Sequence, residues 1–329
     1  MTDHLHNISI EGISYFLPSN SEDISSLSID YPEWDIDKII SKTGIRKRYY
    51  VDQDETAVDL AVKACEKFFS KFDVKKSEID AIVFVTQSPD YVLPTSACLI
   101  QERVNLPKRS LGFDLNLGCS GFVNTLSVAA SLINSDIVSN CLIICAETYS
   151  KYIVSDDRTN RPIFSDGAAV CLLRKGGDFK IGPFEFGING SGSQNLIVKG
   201  SGARKLAIGE TEGLFMNGGQ ILLFTLDEIP KTVNKLLEKE KIEINDLSLV
   251  IFHQASKLVL DGLTKKLGIS PEKVFSNLEY LGNTVSCTIP IALCDAFDQG
   301  LIKPGNKILI VGFGVGYSWG ATIIKWGSA

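Results

Sequence analysis

A chain of 329 residues with 44% hydrophobic content is long enough to bury a large core, about two domains' worth. Its net charge of −6 and 22% charged residues leave no broad basic surface, which argues against nucleic acid as a partner. No apolar run reaches membrane-spanning length, and Met1 to His6 lacks the basic and apolar blocks of a secretory signal, so a cytoplasmic protein without a membrane segment is expected.

Eight cysteines, mostly within apolar stretches, read as reduced thiols in such a compartment. Cys141 and Cys145 enclose Leu142-Ile143-Ile144, a buried-strand pattern. Too few ligands lie nearby for a tetrahedral metal site, so none is expected.

In chain order, Ala57 to Phe72 reads as a helix, and the runs Leu142 to Ala146 and Ile308 to Val311, apolar without alternation, read as strands covered on both faces. A further apolar run, Leu111 to Leu117, ends in Gly118-Cys119-Ser120-Gly121, and a helical segment, Phe122 to Ile133, follows. That arrangement places the Cys119 sulfur at a helix N-terminus, where unpaired amides and the helix dipole lower a thiol's pKa. A small buried cysteine beside glycines is the plainer alternative.

In the second half, Asp227 to Glu240 reads as a helix and Leu249 to Phe252 as a strand. His253 follows that strand at its C-terminal end, where open α/β sheets place chemistry. Gly282-Asn283-Thr284 is a turn whose asparagine either caps a helix or supplies an uncharged amide donor. Gly312-Phe313-Gly314-Val315-Gly316 follows a last strand, with no room for the helix and strand of a dinucleotide-binding unit. A tight loop turning its amides toward the site is expected there instead.

The chain echoes itself. Ser77 to Ser88 resembles Asn245 to Ser256, and Cys141 to Glu147 resembles Lys307 to Phe313, each in the same order among helices. Two related α/β halves follow, residues 1–175 with Cys119 and residues 176–329 with His253 and Asn283. A site at their junction would join all three.

These segments carry a resemblance. Gly118 to Phe122, His253 to Ser256, Gly282 to Thr284 and Gly312 to Gly320 look like signature stretches of β-ketoacyl-ACP synthase III, in the thiolase superfamily. Lys42 to Arg46, Pro94 to Cys98 and Phe164 to Ala168 extend the match from about residue 38 to the C-terminus. The resemblance implies a five-layered αβαβα fold of two pseudo-duplicated halves, and a homodimer. It makes acyl-CoA and malonyl-ACP the substrates, with no separate cofactor. Cys119 would carry the acyl group, and His253 and Asn283 would hold the malonyl thioester oxygen. The backbone N–H groups of Cys119 and Val315 would form the oxyanion hole. Lys42, Arg158, Gly218 and Ser256 would contact CoA, Leu93 would cap the acyl pocket of the partner subunit, and Lys257, Lys265 and Lys266 would receive the acidic carrier.

The departures bear on the substrate. Lys38 stands where the family commonly has an adenine-stacking tryptophan, with Trp34 the nearest one, and Val315 interrupts a run of glycines. Leu93 precedes Pro94 where relatives that condense without decarboxylation carry a basic glutamate, which favours decarboxylative condensation; Asp90 is the nearby carboxylate. Acyl transfer to an oxygen or nitrogen nucleophile in specialised metabolism is the alternative. A Cys–His–Asn hydrolase and a non-catalytic subunit are the remaining classes, and the presence of Cys119 argues against the last.

Overall fold

The computed structural model describes residues 7–210 and 212–327, so His4 and His6 lie outside the described residues. Strand β1 (Ile8–Phe16) opens the first half. A ribbon of β2 (Asn20–Asp23) and β3 (Lys47–Tyr50) follows, enclosing the short helices α1 (Leu27–Asp30) and α2 (Ile36–Thr43). Then come α3 (Ala57–Lys71), β4 (Ala81–Val85), α4 (Ser96–Val104), β5 (Leu111–Leu115), α5 (Gly121–Asn134), β6 (Asn140–Glu147) and β7 (Gly167–Lys175). The second half runs β8 (Phe179–Ile188), a ribbon of β9 (Leu196–Lys199) and β10 (Gly213–Met216), α6 (Gly218–Glu240), β11 (Leu249–Phe252) and α7 (Lys257–Leu267). It closes with α8 (Leu278–Leu281), α9 (Thr288–Asp298), β12 (Lys307–Gly314) and β13 (Ser318–Trp326).

The strands follow the order β11-β12-β13-β8-β1-β7-β6-β4-β5. Among the described residues only one pair, Ser9 with Lys180, joins β1 to β8, so the array is two sheets meeting at a single bridge. Each sheet repeats one plan: β4 lies parallel to β6 and β6 antiparallel to β7, as β11 lies parallel to β12 and β12 antiparallel to β13. The place of β5 is taken in the second sheet by an isolated parallel bridge, Val250 to Val274.

Successive residues of a strand face opposite sides of its sheet, and both sides here are covered. Ala81, Val83 and Val85 enter the core shared with α5 and α9, while Ile82 and Phe84 enter the core beneath α3 and α4. Likewise Ile308 and Ile310 face the shared core, and Leu309 and Val311 face α6 and α7. Five layers result: α3 with α4, a sheet, α5 with α9, a sheet, and α6 with α7. Cys141 and Cys145 spend their side chains in the shared core, and all eight cysteines are free thiols.

Helix α3 starts at a capping box of Thr56 and Asp59, reinforced by Asp90, whose carboxylate accepts the Val58 amide and the Thr56 hydroxyl. Asp90 is therefore a structural cap. Helix α6 begins at Gly218, nine residues before the sequence pattern predicts, because the Asn217 side chain accepts the Gln220 amide and caps it. Strand β5 stops at Leu115 and is an exposed sheet edge. Trp34 is buried and stacks on Tyr31 with ring centroids 4.2 Å apart, so it is spent in the core.

Candidate active site

Cys119 sits on the turn from β5 into α5, two residues before the first helical residue. Gly314 of β12 passes directly against it: a Cβ there would lie 2.8 Å from the Cys119 Cβ and 3.0 Å from the sulfur. Gly312 makes room in the same way for the Cys119 carbonyl, at 2.7 Å from a built Cβ. These glycines thus belong to a strand and supply clearance, and the expected loop shrinks to the short turn from Val315 to Tyr317. Ser120 and Ser318 hydroxyls meet at 2.8 Å, and Ser318 donates on to the Val315 carbonyl at 2.9 Å, tying that turn to the loop that carries Cys119.

His253 directly follows β11, its amide donating to the Val311 carbonyl at 2.8 Å and its ring standing edge-on to Phe313. Asn283 is held by the first half: its amide donates to Ile163, and its carbonyl accepts from Ser165, each at 2.9 Å. Gly282 before it has φ +67°, and a side chain there would strike the Ser165 hydroxyl. The Val285 amide donates to Asn283 Oδ1 at 2.9 Å, leaving Nδ2 at 3.4 Å from His253 Nε2. His253 Nδ1 lies 2.7 Å from the Thr288 hydroxyl.

One cavity of about 460 Å³ brings Cys119, His253 and Asn283 together with Lys42, Arg158, Gly218 and Ser256. The three at its inner end are buried, whereas Lys42, Arg158 and Gly218 are exposed, so it runs from the surface to the thiol. Neither Lys42 nor Arg158 is in an ion pair among the described residues, a cationic rim suited to phosphates. Ser256 also caps α7. Val315 packs on the apolar cluster around Cys119, formed by Tyr149, Phe164, Leu196, Leu214 and Val285.

Other residues named from the sequence lie elsewhere. Leu93 is exposed on the surface, outside the cavity of its own chain. Lys257 and Lys265 line a neighbouring groove, where Lys257 pairs with Asp261, and Lys266 lies near Asp227 of α6. Sequence reasoning missed Thr288, Tyr149 and Glu147. The last is buried beneath the site, accepts from the Gln87 amide and the Ser88 hydroxyl at 3.0 Å each, and leaves Oε1 without a partner. Its place at the C-terminal end of a strand is the signal that could have found it.

Burial decides the ionisation of the site. It pushes the Cys119 thiol well above its ordinary value, with Glu147 adding to the rise, which corrects the lowered pKa expected from the helix terminus. It also lowers His253 to about 3 and raises the Glu147 carboxyl to about 8. The resting site holds a thiol and a neutral imidazole.

Comparison with known proteins settles the lineage. Residues 113–190 match the family model for 3-oxoacyl-[acyl-carrier-protein (ACP)] synthase III, and residues 237–326 match that family's C-terminal model. A β-ketoacyl-[acyl-carrier-protein] synthase III of Clostridium perfringens is 36% identical, with 98% of this chain and all of that protein covered. The chain belongs to the 3-oxoacyl-ACP synthase III family. A second relative with the same name, from Fusobacterium nucleatum, is 34% identical over 98% of this chain and 99% of its own. A crystal structure of a 3-oxoacyl-(acyl-carrier-protein) synthase III superposes with a TM-score of 0.94 at 37% identity, covering 97% of this chain and all of that one. Among the described residues no helix is long and apolar enough to cross a membrane.

Proposed function

We propose that Cys119, His253 and Asn283 carry out the family's condensation, the observation carrying this being the single cavity that joins them to Lys42 and Arg158. The chain is an acyltransferase of the β-ketoacyl-ACP synthase III type, and its reaction initiates fatty-acid synthesis. The primer acyl-CoA enters with its phosphates on the cationic rim, Gly218 and Ser256 flanking the pantetheine arm. Cys119 Sγ attacks the thioester carbonyl, the C–S bond to CoA breaks, and the acyl group stays on the sulfur. Malonyl-ACP then occupies the same cavity. Its carboxylate leaves as carbon dioxide, and the electron pair moves into an enolate whose oxygen accepts from Asn283 Nδ2 and from a proton on His253 Nε2. The enolate carbon attacks the acyl-Cys119 carbonyl, the acyl–sulfur bond breaks, and β-ketoacyl-ACP departs. Backbone amides of Cys119 and Val315 hold the tetrahedral oxyanion, about 3 kcal/mol each.

Asp90 is occupied at the cap of α3 and Leu93 carries no carboxylate, which supports the decarboxylative route over one needing a carboxylate base. Intact mass after incubation with a panel of acyl-CoAs tests the reading. A gain of one acyl group, absent in Cys119→Ala, is expected; no gain from any acyl-CoA overturns it.

The working unit is a homodimer. The β5 edge presents unpaired backbone groups, and the neighbouring loop exposes Tyr91, Val92 and Leu93, Val92 by 87%. Such an edge and apolar loop are suited to a second copy. Leu93 then reaches the acyl pocket of the partner subunit, and Leu93→Ala broadens the range of acyl-CoAs loaded; an unchanged length profile removes that role. Lys265 and Lys266 on α7 supply the positive face for the carrier, Lys257 being neutralised by Asp261. The malonyl-ACP step should lose rate with added salt, and the double change Lys265→Glu with Lys266→Glu should abolish that dependence. The free thiols accord with a cytoplasmic location.

A further inference from the structure

Two hydrogen-bond chains converge on the imidazole of His253, and both start from Val285. This β-branched residue has φ +55°, a conformation it adopts only when its surroundings impose it. Its carbonyl accepts the Thr288 hydroxyl at 3.0 Å, and the Thr288 oxygen lies 2.7 Å from His253 Nδ1. A hydroxyl has a single proton. Once it is given to Val285, the oxygen can only accept from the ring, so the proton of the neutral imidazole is on Nδ1. The second chain gives the same answer. The Val285 amide fixes Asn283 Oδ1, which turns the Nδ2 donor toward His253 Nε2 at 3.4 Å, and a donor facing Nε2 requires a bare nitrogen.

We propose that Thr288 is a positioning residue that holds His253 as the Nδ1–H tautomer, making the bare Nε2 the site of proton uptake and release for Cys119. The proposal rests on Cys119 being the acyl carrier. During acylation the Sγ proton passes to Nε2 as the Sγ–C bond forms, and returns to the CoA sulfur as its bond to carbon breaks. During condensation the negative charge developing on the malonyl thioester oxygen offsets the burial that keeps the resting imidazole neutral, so a solvent proton joins Nε2, and the imidazolium so formed donates to that oxygen while carbon dioxide leaves. That proton passes to Cys119 Sγ when the acyl–sulfur bond breaks. One proton is consumed per turnover, as the conversion of malonyl carboxylate to carbon dioxide requires. Nδ1 keeps its proton throughout, and Thr288 is what keeps it there.

Imidazole nitrogen NMR on the full chain, with His253→Gln used to assign the signal, reads the tautomer directly. The wild-type protein and Thr288→Ser should carry the proton on Nδ1 alone, and Thr288→Val, in which Asn283 Nδ2 is the one remaining group among the described residues that opposes a proton on Nε2, should show the Nε2–H form beside the Nδ1–H form. In Thr288→Val the rate of Cys119 acylation, followed by intact mass, should fall about 100-fold, the lower end of what a positioned base contributes. Its KM for acyl-CoA should change little, and Thr288→Ser should restore the rate. A proton on Nε2 in the wild-type protein overturns the proposal even if Thr288→Val fails to fold. So does a Thr288→Val protein with wild-type tautomer and rate. Absence of any acyl adduct on the wild-type chain would instead remove the acyl-carrier reading, a result separable from the NMR signal.

Discussion

At the scale of single residues, the site is governed by close approach and burial. The helix terminus beside Cys119 favours a thiolate, but removal from water opposes it and prevails, so the sulfur rests protonated. Clearance around that sulfur depends on Gly314. Gly314→Ala would press a methyl group against Cys119, and a displacement of this kind should slow acylation about 100-fold. Thermal unfolding of that variant should shift by an amount worth about 1–3 kcal/mol, which calorimetry would check. Glu147 makes a pH prediction. Its carboxyl titrates near 8 in the fold against an ordinary value of 4.5, so the native state retains a proton that the unfolded chain releases. Its contribution is complete below pH 4.5 and is lost as pH rises to 8, with a slope of about 1.4 kcal/mol per pH unit. Denaturant titrations of Glu147→Gln should lack that slope and be more stable than wild type at pH 8.

At the scale of elements, side-chain caps set where α3 and α6 begin. Asp90→Ala should cost about 1 kcal/mol through the loss of the α3 cap and leave acylation of Cys119 intact. Loss of the adduct would return Asp90 to the chemistry. Strands β6, β11 and β12 were legible in the sequence as unbroken apolar runs, and β5 was legible too, though it is a partly exposed sheet edge. The duplication was legible for the same reason, and so was the gathering of Cys119, His253 and Asn283, each on a turn after a strand or bridge. What stayed hidden depends on residues far apart in the chain. Cys119 draws its ionisation from its buried setting and Glu147, Gly314 serves as clearance only because β12 crosses the nucleophile, and Thr288 meets a histidine 35 residues away.

At the scale of the molecule, the two sheets share one middle layer, and α5 and α9 hold the halves together where the strands touch at a single pair. Leu126→Ala, in that layer, should cost about 2–5 kcal/mol and keep one cooperative unfolding transition. Two separated transitions would mean that the halves are independent. The cavity between them carries a wider consequence. A conduit lined at one end by Lys42 and Arg158 and at the other by Cys119 admits one thioester arm at a time. On the proposed mechanism the second reactant should then rival the first for the unloaded enzyme, and steady-state rates should fall as malonyl-ACP is raised at fixed acyl-CoA. Flux should therefore peak at a balanced ratio of primer to extender, so that a single shared tunnel would make the enzyme a gauge of that ratio.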